Sequence, residues 1–72
     1  MEITFDKEAD AIYIEFSSEE LAENKKIDDE TIIDLDKNGQ IIGIELLNVS
    51  KRLSKKALSD VSFKNLVSVW DN

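Results

Sequence analysis

The chain has 72 residues and a formal net charge of −7, from 16 acidic and 9 basic side chains. It contains no Cys, His or Pro. That composition excludes disulfide staples, thiolate and imidazole zinc sites, Ser-His-Asp and Cys-His catalysis, and a histidine-based pH switch.

A chain this short is expected to form one domain over 1–72 with a modest core, and without staples it often gains burial by oligomerising. The charge is unevenly spread. Residues 1–50 hold 14 acidic and 4 basic side chains, and residues 51–72 hold 2 and 5. An acidic body argues against nucleic-acid binding, because phosphate contacts need Lys and Arg. The opening Met1-Glu-Ile-Thr-Phe-Asp6 lacks the basic start and apolar run of a signal peptide, and no apolar run reaches membrane-spanning length. A soluble cytoplasmic protein with no membrane partner is the expectation.

Residues 1–16 read as a hairpin. Ile3 and Phe5 alternate with Glu2 and Thr4, and Ile12, Ile14 and Phe16 alternate with Ala11, Tyr13 and Glu15. Period two over both runs argues half-buried antiparallel strands. Asp6 and Asp10 in the connection read as turn formers whose side chains bond nearby backbone. Ser17-Ser-Glu-Glu20 resembles a capping box and suggests a single helical turn. Residues 22–27, with Lys25 and Lys26, suit an edge strand guarded against unwanted pairing. Asp28-Asp-Glu30 reads as an exposed acidic turn.

The most strongly patterned stretch runs from Thr31 to Leu47. Its β-branched isoleucines favour strands, and Asn38-Gly39 is a strong turn signal. Ile33 and Leu35 share one face, as do Ile42, Ile44 and Leu46. If these sets are to meet, the loop must hold an even number of residues. A two-residue loop pairs Leu35 with Ile42 and Ile33 with Ile44, and a four-residue loop pairs Ile33 with Ile42. A three-residue loop puts Asp34 beside Ile42 and is disfavoured, since a one-residue slip turns every side chain over.

The same stretch supports a second reading. Asp34, Asp36, Asn38, Gly39 and Glu45 fall at the spacing of an EF-hand calcium loop, with a potentially bidentate Glu at its twelfth position. The flanking helices that such a loop needs are poorly supported, and an extended Gln40–Glu45 carries Glu45 away from the turn. The hairpin is favoured, with no metal, cofactor or catalytic residue expected. Divalent-cation binding through Asp34, Asp36, Asn38 and Glu45 remains the alternative.

A helix near 50–58, capped by Asn48 or Ser50, presents Val49, Leu53 and Ala57 as a narrow stripe. Lys51, Arg52, Lys55 and Lys56 are read as its solvated face. The tail from Asp60 to Trp70 reads as extended or strand-like, because valine is frequent and serine interrupts any good helix. Tyr13, Ile32, Ile41, Leu47 and Trp70 are left as a candidate interaction surface for a homodimer or another protein partner.

Ile3-Thr-Phe-Asp6, Glu8 to Ile14, Ile33 to Asp36, Gly39 to Leu46 and Ser50-Lys-Arg-Leu53 together resemble the YuzE-like family of small prokaryotic proteins of unknown function. The resemblance covers residues 1–53. Lys7 stands where members often carry Pro, and Asn48-Val49 where they often carry Asp-Ala. It implies a small α+β domain and brings no established catalytic residue, cofactor or substrate. An antitoxin-type partnership with a neighbouring toxin is conceivable from it by association. The expected fold is α+β. About five antiparallel strands, at 2–5, 11–16, 22–27, 31–36 and 40–47, form a meander-like sheet with the C-terminal helix packed on one face. A non-enzymatic, self-associating interaction module is the expected function.

Overall fold

The computed structural model describes residues 1–65. Five antiparallel strands form one open sheet, followed by two short helices. The strands are β1 (Glu2–Asp6), β2 (Ala11–Glu15), β3 (Glu23–Asp28), β4 (Thr31–Leu35) and β5 (Ile41–Leu47). Their spatial order is β1-β2-β5-β4-β3. The meander expectation holds for β3, β4 and β5, which follow one another by hairpins. β5 then closes against β2 in Greek-key fashion, so the most apolar strand takes the centre. β3, with Lys25 and Lys26, lies at an edge as its composition suggests. Residues 17–20 form a loop rather than a helical turn.

The β4–β5 hairpin departs from the expected even loop. The Asp36 amide donates to the Gln40 carbonyl at 2.9 Å across the three-residue loop of Lys37, Asn38 and Gly39. Two local features favour that loop. Asp36 Oδ1 accepts from the amides of Asn38 and Gln40, and Gly39 sits at φ 79°, the left-handed conformation that such a hairpin requires. The odd loop pairs Leu35 with Ile41. The register then shifts by one residue, and below the shift Asp34 faces Gly43 and Ile33 faces Ile44. Ile42 is the extra residue of this bulge. The bulge restores the apolar pairing of Ile33 with Ile44 that the sequence pattern demands.

The expected single helix is broken in two, α1 (Val49–Arg52) and α2 (Lys55–Ser59). Ser54 separates them and caps α2, its Oγ accepting from the Ala57 amide. Neither expected cap operates on α1. Asn48 adopts a left-handed conformation without a side-chain cap, and Ser50 lies inside the helix. Residues 60–65 belong to no strand or helix, and Asp60 is extended; the rest of the tail lies outside the described residues. Ile42 and Val49 are the buried apolar side chains among the described residues. No described helix is long and apolar enough to cross a membrane.

Candidate functional site

Cross-strand partners share a face, so the register assigns each side chain to one side of the sheet. Tyr13, Gly43, Glu45, Ile32, Asp34 and Asn24 lie on the second face. Ile3, Phe5, Ile12, Ile14, Ile33, Leu35, Ile44 and Leu46 lie on the first.

The second face carries a compact polar cluster. Asp34 is 9% exposed, the one buried charged side chain among the described residues. Tyr13 donates its hydroxyl to Asp34 Oδ2 at 2.9 Å, and Asn24 donates Nδ2 to Oδ1 at 2.6 Å. Both carboxylate oxygens therefore have partners, which offsets the cost of burying the charge. Tyr13 reaches Asp34 by lying across Gly43. A Cβ at 43 would fall 2.7 Å from Tyr13 Cζ and 3.1 Å from the Ile14 carbonyl oxygen. Glycine is needed here for close approach rather than for an unusual backbone angle. Burial pushes the Tyr13 phenol above its ordinary pKa, reinforced by its bond to Asp34 and by the negative charges of Asp34, Glu15 and Glu45. Asn24 was not legible as a member of this group, because nothing in its local sequence points to Asp34.

The loop residues Asp34, Asp36, Asn38 and Glu45 are distributed along the hairpin. Asp34 is held by Tyr13 and Asn24, Asp36 braces the turn, and Asn38 lies in the turn. Glu45 faces Tyr13 on one side and Ile32 on the other. Among the described residues, no group of three or more acidic side chains is placed to hold a metal ion.

Two further contacts tie the helices to the sheet. Asp10, at φ 53°, accepts from the Ser50 amide at 3.1 Å and from the Ser50 hydroxyl at 2.7 Å, while its carbonyl accepts from the Val49 amide. Asp6 is the local turn former, accepting from the amides of Glu8 and Ala9. Arg52 leaves the expected solvated face and donates to the Glu30 carbonyl at 2.8 Å and to the Thr31 hydroxyl at 3.3 Å. In the acidic turn, the Glu30 amide binds Asp28 and holds its carboxyl below the ordinary value, aided by Thr31 and by the charge of Arg52.

The candidate interaction residues do not share one patch. Tyr13, Ile32 and Leu47 are half-buried on the second face, where Tyr13 is engaged by Asp34. Ile41, 49% exposed, pairs with Leu35 and so belongs to the first face, a consequence of the three-residue loop. Trp70 lies outside the described residues. The larger apolar surface is the first face, where Ile42 is buried and the other apolar side chains are half-buried or exposed. Ile3 and Phe5 are 47% and 39% exposed. The α2 side reaches only one corner, leaving an open cavity of about 590 Å³ between Met1, Ile3, Phe5 and Ile12 and the segment bearing Ala57, Leu58, Val61 and Phe63.

No curated protein and no solved structure matches the chain. Residues 2–50, which include all five strands and the Tyr13, Asn24, Asp34 and Gly43 positions, match the family model described as protein of unknown function (DUF2283), and the chain belongs to that family.

Proposed function

We propose that this chain is a cytoplasmic, non-enzymatic interaction module that works as a homodimer, with the first sheet faces of two copies packed against each other. The observation that carries this reading is the first face itself: Ile3, Phe5 and Ile41 are exposed there and Ile12, Ile14, Ile33, Leu35, Ile44 and Leu46 only half-buried, with Ile42 alone buried among them. Two such faces stacked about 10 Å apart would interdigitate as a β-sandwich core.

The titratable groups support the non-enzymatic part. Asp34 has both oxygens engaged, so its cluster offers no free base. The same engagement of Asp34 and Asp36 weighs against calcium binding at 34–45. The narrower YuzE-like identity and an antitoxin-type role rest on the sequence resemblance of residues 1–53.

Sedimentation equilibrium tests the reading. The expected mass is twice the 8.2 kDa of the chain, and a monomer at high micromolar concentration overturns it. Ile44→Lys, at the centre of the first face, is expected to give monomers. Ile32→Lys, on the opposite face, should leave the dimer intact.

A further inference from the structure

We propose that the outer edge of β1 receives an extended segment of a partner protein in which Lys or Arg alternates with apolar residues. The proposal rests on the reading of the chain as an interaction module and names the chemistry of its partner.

An open sheet has two edges, and here they differ. β3 carries adjacent lysines, Lys25 and Lys26, and its register breaks between Lys26 and Asp28. Charge and a bulge are the usual devices that stop an edge from recruiting another strand. β1 has neither. Its ladder with β2 runs unbroken from Glu2 opposite Glu15 to Asp6 opposite Ala11, and all five of its residues are exposed. An extended segment added to such an edge gains main-chain hydrogen bonds, and its side chains read the two faces alternately.

Each face beside β1 favours a different side chain. On the first, Ile3 and Phe5 open into the cavity shared with Met1 and Phe63, which offers apolar contact to every second residue of an added strand. On the second, Glu2 and Asp6 flank Thr4, with Glu15 directly behind Glu2. Carboxylates there favour cations at the intervening positions. A second copy of β1 fits poorly, because antiparallel pairing about Thr4 sets Glu2 against Asp6 twice, and like charges directly opposite are destabilising. This chain's own β3 fits poorly too, since its two lysines are adjacent and point to opposite faces.

The test titrates two labelled peptides into the full chain, one of alternating Lys and Val and one with Glu in place of Lys. Amide hydrogen exchange and sedimentation are read on the same samples. The expected result is binding of the Lys peptide alone, with new protection at residues 2–6 and none at 23–28. Glu2→Lys, at an exposed position on the opposite face from the proposed dimer contact, should weaken binding about tenfold. Equal binding of both peptides, protection at β3, or no binding at millimolar peptide overturns the proposal. So does protection, in the peptide-free dimer, of the β1 amides that point away from β2, which would assign the edge to a second copy. A monomer that still binds the Lys peptide breaks the self-association reading alone, and a dimer that does not bind breaks the edge proposal alone.

Discussion

On the second face, a charged side chain is buried and fully satisfied from within the chain: Tyr13, carried by β2, and Asn24, carried by β3, each take one oxygen of Asp34. On the first face, eight apolar side chains meet a helix of five residues that covers a corner. The difference lies in what each kind of group needs. A carboxylate needs two or three donors at defined distances, and two strands, β2 and β3, supply one each. An apolar face needs area, and a chain with two short helices has little left to give. One face is therefore satisfied within the single chain, and the other is left largely open by the described residues.

Three substitutions or titrations sharpen that contrast, after the oligomer test that would break it. The largest expected effect is at Gly43. Gly43→Val forces a side chain into Tyr13 and the Ile14 carbonyl, and should cost about 3 kcal/mol by overpacking and by lifting Tyr13 off Asp34. The urea midpoint reads this directly, and an unchanged midpoint would mean that Tyr13 does not rest there. Tyr13→Phe keeps the ring and removes the hydroxyl, leaving Asp34 with Asn24 as its side-chain donor. About 2 kcal/mol should be lost, since the acceptor is charged and buried. The mass of the proposed dimer should not change, because the second face lies opposite the proposed contact.

The smallest effect is a titration. Tyr13 is the chain's single tyrosine, so tyrosinate absorbance reports it alone. It should ionise above the ordinary value of about 10. Asp34→Asn should bring it only part of the way back, because burial, Glu15 and Glu45 also raise it. A raised folded-state pKa means that the phenol's contribution to stability is fully present below the unfolded value. That contribution is lost as pH rises through the folded one. Ionisation at the ordinary value in the folded chain would show that the cluster is open to water.

Much of the fold was legible because strand signals are local. Alternation and β-branched residues located four strands, and the polar composition with its paired lysines located the fifth as a guarded edge. The pairing of Ile33 with Ile44 followed from the need to put apolar residues on one side. The three-residue loop did not follow, because it depends on the Asp36 carboxylate holding two amides and on a bulge at Ile42 absorbing the odd residue. Counting along a strand assumes unbroken alternation and cannot see a compensating pair of irregularities. That same pair moved Ile41 from one face to the other. The helix break at Ser54 carried a signal that was missed, a serine three residues before Ala57, in cap position.

The candidate sites divide in the same way. Composition alone removed whole classes of chemistry, and alternation alone produced an apolar sheet face and an acidic body. Those properties belong to residue type and order and need no partner. Tertiary structure decided which groups meet: Asp34 with residues 13 and 24, and Asp10 with Ser50, 40 positions away. It also decided that β5, rather than β3, lies beside β2, which leaves β1 and β3 as the open edges. Hydrogen bonds at 2.6–2.9 Å in the Asp34 cluster require placement that no local pattern encodes, because strands distant in sequence must first be brought side by side.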